Sequence, residues 1–347
     1  MNFVKEAQVM VQVNMFDCGG IAICVCISHK IADACTMSTF IRNWAGKTNT
    51  ARCGGSIVIP TRNQNLLIPS FDSAALFPPS EQLPSPPEIP PTPVPKEDSR
   101  IEKIVSKRFV LDAVKIKSVR DKLQVLMHDK YKFHRPTRVE VVSALIWKEA
   151  MKSSPTGSSS TVYHVVNFRK KIDPPLHDVS FGNISMHKKI KAVFPAITAQ
   201  KNTANETSSR TSNEVEVLEV LENQLTEFVA QLRGEINKIK GDKGCIEKIY
   251  ISSVSGYDDF IANISDVKDE ALALWMTSWC NFGLYDADFG WGKPIWVTSS
   301  DPFIEPGKNK VFLIDTKCGQ GREVWVNFEE DDMSKFELHL SEILELF

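Results

Sequence analysis

The chain has 347 residues, 42% of them hydrophobic and 24% charged, and a formal net charge of −2. That balance describes an ordinary globular protein long enough for two domains, and it gives no reason to expect nucleic acid or an anionic membrane surface as a partner. No stretch approaches the ~18 apolar residues of a membrane span, and no basic segment leads into an apolar core at the start, so a cytoplasmic protein is expected. The eight cysteines (Cys18, Cys24, Cys26, Cys35, Cys53, Cys245, Cys280 and Cys318) are scattered without a C-x-x-C pair. Reduced, buried thiols in a reducing compartment are expected, with no metal site, including at Cys24 and Cys26.

Residues 7–16 alternate, with Ala7, Val9, Val11, Val13 and Met15 against Gln8, Gln12 and Asn14. This predicts a half-buried strand. Asp17-Cys18-Gly19-Gly20 is turn chemistry, and Ile21 to Ile27 reads as a second, more buried strand. Ser28-His29 leaves that strand, and residues 33–45 read as a helix with Ile41 and Trp44 turned inward. A hairpin therefore delivers a histidine to a strand–helix junction, where sites often sit.

Between Pro78 and Pro95 nine of eighteen residues are proline. Such a run lacks backbone donors and reads as an extended linker. It divides the chain into residues 1–77, a linker at 78–100, and residues 101–347. Past the linker, Ile104 to Leu111 reads as a strand and Asp112 to Val125 as a helix. Thr137-Arg138-Val139-Glu140 is a capping box opening a helix that carries Leu145, Ile146 and Trp147. Thr161 to Phe168 reads as a strand and the Ser/Thr/Asn-rich residues 197–213 as a surface loop. A long helix over 214–240 shows a stripe of Leu218, Leu221, Leu225, Phe228, Leu232, Ile236 and Ile239, which is core packing. Strands are predicted at 271–279, 294–298, 310–315 and 323–327, then a helix from about Glu329. The pattern is that of a mixed-sheet α/β protein.

Two motifs carry chemistry. His29-Lys30-Ile31-Ala32-Asp33 places an imidazole four residues before a carboxylate. Asp288-Phe289-Gly290-Trp291-Gly292 lies far downstream. Its Asp-Phe-Gly core lacks the catalytic loop, phosphate loop and strand lysine of a protein kinase, which excludes that reading. The two motifs in this order resemble the signature pair of the BAHD acyltransferases, most closely the vinorine synthase-like branch. Phe16 to Gly20, Lys107-Arg108-Phe109, Arg138 to Trp147, Val166 to Arg169, Pro174 to Leu176, Phe181-Gly182-Asn183 and Thr277-Ser278-Trp279 match in family order.

The resemblance implies a chloramphenicol acetyltransferase-like, two-domain mixed-sheet fold with a channel between the halves. It implies transfer of an acyl group, acetyl favoured, from acyl-CoA to the hydroxyl of a small-molecule alcohol, an alkaloid or other specialised metabolite, by a monomer. His29 is then the general base, since imidazole with a pKa near ~6.5 is available at neutral pH. Thr277 and Trp279 are implied oxyanion or positioning donors. Asp33 is implied to pair with Arg169 and hold the His29 loop, and Asp288, Gly290 and Gly292 to be structural. Lys107, Thr137, Arg138 and Asn183 are implied coenzyme contacts. Cys35, close to His29, admits a Cys-His nucleophile reading, which direct transfer disfavours. Family members carry a longer segment ahead of the histidine motif, so the N-terminal domain is expected to be incomplete. A catalytically silent relative that binds CoA or a protein partner is the alternative.

Overall fold

The computed structural model describes residues 7–52, 68–76, 103–132, 135–152, 159–193, 210–239, 272–299 and 307–346. The proline-rich segment and the boundary placed on it lie outside the described residues, as does most of the predicted loop at 197–213. Strands β1 (Val9–Met15) and β2 (Ile21–Ile27) form an antiparallel hairpin with Val9 opposite Ile27 and Met15 opposite Ile21. Helix α1 (Ala34–Arg52) follows.

The remaining strands are β3 (Ile104–Leu111), β4 (Ser159–Asn167), β5 (Ser185–Val193), β6 (Leu272–Ser278), β7 (Lys310–Asp315) and β8 (Arg322–Glu329). They form a mixed six-stranded sheet in the order β3-β8-β7-β6-β4-β5, with β4, β6 and β7 parallel. Among the described residues four helices belong with it: α2 (Ala113–Tyr131), α3 (Arg138–Met151), α4 (Arg210–Asn237) and α5 (Glu330–Glu345).

Side chains alternate across a strand, and the two faces of this sheet differ in what covers them. Ile190, Val162, Leu274, Met276, Val311, Leu313, Val324 and Val326 share one face and pack against the helices. Leu123 and Met127 of α2, Trp147 of α3, Leu225 and Phe228 of α4, and Phe336 of α5 close that core. Each such side chain contributes about 1.5–3 kcal/mol through burial. The other face carries His187, Tyr163, Trp275, Thr277, Phe312 and Trp325, and this is the face turned toward the site.

The capping box at α3 is formed: Thr137 Oγ1 accepts the Glu140 N–H at 3.2 Å, and Glu140 accepts the Thr137 N–H at 2.7 Å. Helix α2 runs past its predicted end at Val125 because Met127 still packs into the core, and Lys132 closes it in the left-handed conformation.

Four expectations need correction. No strand forms at 294–298, where the chain runs without a ladder partner. Strand β5 was not foreseen, because three lysines in Ser185–Val193 mask its alternation and mark an edge strand. The hairpin's apolar row is not half-buried: Val9, Val11, Val13, Met15 and Ile21 are all exposed. Alternation decides which residues share a face, and says nothing about whether another layer covers it. Cys24 is exposed and Cys26 only partly buried for the same reason.

Candidate active site

The site is assembled at the carboxyl ends of the parallel strands, where open α/β sheets usually hold their ligands. β4 ends at Asn167, β6 at Ser278 and β7 at Asp315, while antiparallel β5 begins there with Ser185 opposite Asn167. His29 arrives from the hairpin on a turn closed by the Ile31 and Ala32 N–H groups, both donating to the Ser28 carbonyl. Its side chain is exposed.

Asp33 caps α1. Its Oδ1 accepts the Thr36 N–H at 2.9 Å and its carbonyl accepts the Met37 N–H at 2.9 Å. The same carboxylate receives Arg169, from Nη1 at 2.7 Å to Oδ2 and from Nη2 at 3.1 Å to Oδ1, and the Ile184 N–H at 2.8 Å. Arg169 is fully buried and also donates to the Ser180 carbonyl from Nε at 3.0 Å, to Thr36 Oγ1 at 2.9 Å and to the Gly182 carbonyl at 3.2 Å. A charge buried this deeply is tolerated only with its partner and its hydrogen bonds in place. Among the described residues the hydrogen bonds of Asp33 run to α1 or to residues 169–184, and none to the imidazole.

Asn183 donates Nδ2 to the His29 carbonyl at 2.8 Å, while Ser185 Oγ donates to Asn183 Oδ1 at 3.1 Å. Asn183, which the resemblance implies as a coenzyme contact, has its amide on the histidine turn. Thr36, Ser180 and Ser185 carry no signal in the sequence, because ordinary polar residues and carbonyls leave no pattern.

The Asp288 segment packs against the hairpin and the middle of α1. Asp288 Oδ1 accepts the N–H groups of Gly290 at 2.8 Å and Gly292 at 3.0 Å, a turn that needs positive φ at both glycines, 98° and 110°. Phe289 packs edge-on against Trp44 with ring centroids 4.8 Å apart, in a cluster with Ile23, Ile41 and Ala45. The pentapeptide thus clamps β2 and α1, the two elements that flank His29.

Thr277 and Trp279 stand at the end of β6. The Trp279 N–H donates to the Leu313 carbonyl at 2.8 Å, and its ring lies edge-on to Phe312, 4.9 Å away, beside Ile41 of α1. Arg138 stands at the N-terminus of α3 and donates to Gln320 in the β7–β8 turn, at the same end of the sheet. Arg120 and Arg135 lie with it: burial first, then the charges of Arg135 and Arg138, pull the Arg120 guanidinium below its ordinary value. Cationic side chains around a helix N-terminus make a setting for phosphate. Thr137 contributes its hydroxyl to the cap there, at 3.2 Å from the Glu140 N–H.

Lys107 does not join this group. It sits on edge strand β3, on the helix-covered face, and pairs with Glu337 of α5 at 2.5 Å. Cys35 is buried, its thiol pushed up chiefly by burial and directed at the Asp178 carbonyl 3.6 Å away, which suits packing and not nucleophilic attack. Among the described residues no group of His, Cys, Asp and Glu could hold a metal, and no helix is long and apolar enough to cross a membrane.

A sequence model described as the Transferase family matches residues 4–343. The chain belongs to this family, that of the BAHD acyltransferases. It is 63% identical to a Papaver somniferum (13S,14R)-1,13-dihydroxy-N-methylcanadine 13-O-acetyltransferase over 100% of its own length and 72% of that protein's. It is 60% identical to the salutaridinol 7-O-acetyltransferase of the same plant, over 99% of this chain and 71% of the relative. Among solved structures, the BAHD member vinorine synthase aligns with a TM-score of 0.63 at 28% identity, covering 96% of this chain and 65% of that one. F. graminearum TRI101, crystallised with coenzyme A and T-2 mycotoxin, reaches the same TM-score at 16% identity over 95% of this chain and 67% of its own, which shows the shared fold.

Proposed function

We propose that the chain moves an acetyl group from acetyl-CoA to a hydroxyl of a plant specialised metabolite, an alkaloid alcohol being the acceptor class. The reading rests on one arrangement: the His29 turn, Thr277 and Trp279, and the arginines around α3 share one end of the sheet. Names of the relatives at 63% and 60% identity point to the same reaction class and to alkaloid acceptors.

In this reaction His29 accepts the hydroxyl proton as the alcohol oxygen bonds to the thioester carbonyl carbon. The carbonyl oxygen then carries the negative charge, and Thr277 and Trp279 are the donors suited to stabilise it by a few kcal/mol, roughly 3. Collapse breaks the C–S bond, and the imidazolium returns the proton to the departing thiolate, giving ester and free CoA. Arg138, with Arg120 and Arg135, suits the coenzyme's phosphates. Asp33, Arg169 and Asn183 hold the histidine turn, so their role is positioning. Free cysteines throughout the described residues agree with a cytosolic setting, where we place the protein as a monomer.

The test is thiol release from acetyl-CoA with salutaridinol as the probe alcohol. Wild type should release CoA only when the alcohol is present, and His29→Ala should lose at least about a hundredfold of that rate. Release no faster than that of His29→Ala overturns the reading and leaves a coenzyme-binding protein without turnover.

A further inference from the structure

The reaction above uses one imidazole, and His187 offers another on the sheet face turned toward the site. His187 lies on β5 opposite Val165 of β4. In the parallel β4–β6 ladder His164 stands level with Met276, so Val165, one residue on, is level with Thr277. His187 and Thr277 therefore occupy one cross-strand row on the same face, two strands apart, or about 10 Å. The strand that carries His187 begins at Ser185, whose hydroxyl orients the Asn183 amide that holds the His29 carbonyl. β5 thus presents His187 beside the same turn it anchors.

The surroundings of His187 are aromatic and cationic. Its ring meets Trp275 edge-on, with centroids 5.8 Å apart, and Trp275 stacks on Tyr163 at 4.2 Å. Lys189 lies over the Tyr163 ring at 5.5 Å. Part of the His187 ring reaches water, yet the protein around it desolvates it. That burial, followed by the charge of His29, pulls its pKa below the ordinary value. At neutral pH it is an uncharged ring with one N–H donor and one acceptor nitrogen. The described residues of this face on β4, β5 and β6 include no carboxylate. A ligand group read here is accordingly a neutral oxygen and not an ammonium.

We propose that His187 selects the acyl acceptor, by a hydrogen bond to a second, neutral oxygen of a ring-bearing alcohol whose apolar surface lies against Trp275. The inference rests on the acyltransferase reading and adds a residue that binds the alcohol whose reacting hydroxyl reaches His29. His187 takes no proton in the reaction; it is a binding residue.

Two variants test it: His187→Phe keeps an aromatic ring against Trp275, and His187→Gln keeps a donor and an acceptor. With salutaridinol and acetyl-CoA, His187→Phe should raise the KM for the alcohol about five- to tenfold, the worth of one neutral hydrogen bond. The KM for acetyl-CoA and kcat should stay within about twofold, and His187→Gln should restore most of the loss. An alcohol KM unchanged in His187→Phe, or both KM values rising together, overturns the proposal. A second measurement needs no turnover: calorimetric binding of salutaridinol to the His29→Ala chain, with and without His187→Phe. Weaker binding with the added change supports the role of His187 even if wild type releases no CoA, a result that would count only against the acyltransferase reading. Equal binding in both chains, or none to the His29→Ala chain, overturns the role of His187.

Discussion

Asp33→Asn separates two roles for the motif carboxylate. In the structure Asp33 is only 5% exposed and Arg169 is 0% exposed, and the pair is closed by two guanidinium hydrogen bonds at 2.7 and 3.1 Å. Asparagine preserves the shape, but it removes the charge and turns one acceptor into a donor facing the guanidinium. Removing one partner of a buried pair costs about 3–5 kcal/mol, because the other charge is left uncompensated. At roughly 2–4 °C per kcal/mol for a domain of this size, the melting temperature should fall by about 6–20 °C. Thermal unfolding of Asp33→Asn, of Arg169→Met and of the double change Asp33→Leu with Arg169→Met measures this. The double variant should be more stable than Arg169→Met alone, since it leaves no unpaired charge. The activity that remains below the melting transition should have the wild-type pH midpoint, because no hydrogen bond links Asp33 to the imidazole. A loss under about 1 kcal/mol would refute the packing argument. A shifted midpoint of kcat/KM would show instead that the carboxylate acts on His29.

Two further outcomes follow from local geometry. Thr137→Ala removes the hydroxyl that receives the Glu140 N–H and should cost about 1 kcal/mol, lowering the melting temperature by about 2–4 °C; no change would mean that water replaces the cap fully. Cys318 has its pKa lowered to about 7 by the Thr316 hydroxyl first and then by the Gly321 and Gln320 N–H groups. Its thiolate fraction rises with pH through that value, so it should react with a disulfide reagent in a fast phase with a midpoint near 7, absent from Cys318→Ser. A midpoint near the ordinary ~8.5 would show that those donors do not reach the sulfur.

Local chemistry was sufficient for most elements and for the place of His29. Alternation from Val9 to Met15, turn residues 17–20 and the apolar run to Ile27 specify a hairpin, and His29 falls at its exit whatever the rest of the chain does. The capping box at Thr137 and the stripe along α4 are likewise written in neighbouring residues. The pairing of Asp33 with Arg169 was available only through a family resemblance, for the partners are 136 residues apart and nothing near either one names the other.

The tertiary structure alone decided what the site residues touch. Asn183 holds the His29 carbonyl because β5 folds back along β4, and Lys107 is spent on Glu337 because edge strand β3 turns it toward α5. His187 reaches the Thr277 row only through the register of three strands, one of them hidden in sequence by its lysines. The exposure of Val11 and Val13 was equally beyond a sequence pattern. Periodicity along a chain reports the geometry of one element, whereas burial and partnership depend on which distant element lies opposite. His29 could be named from a motif, but the company it keeps is a property of the sheet.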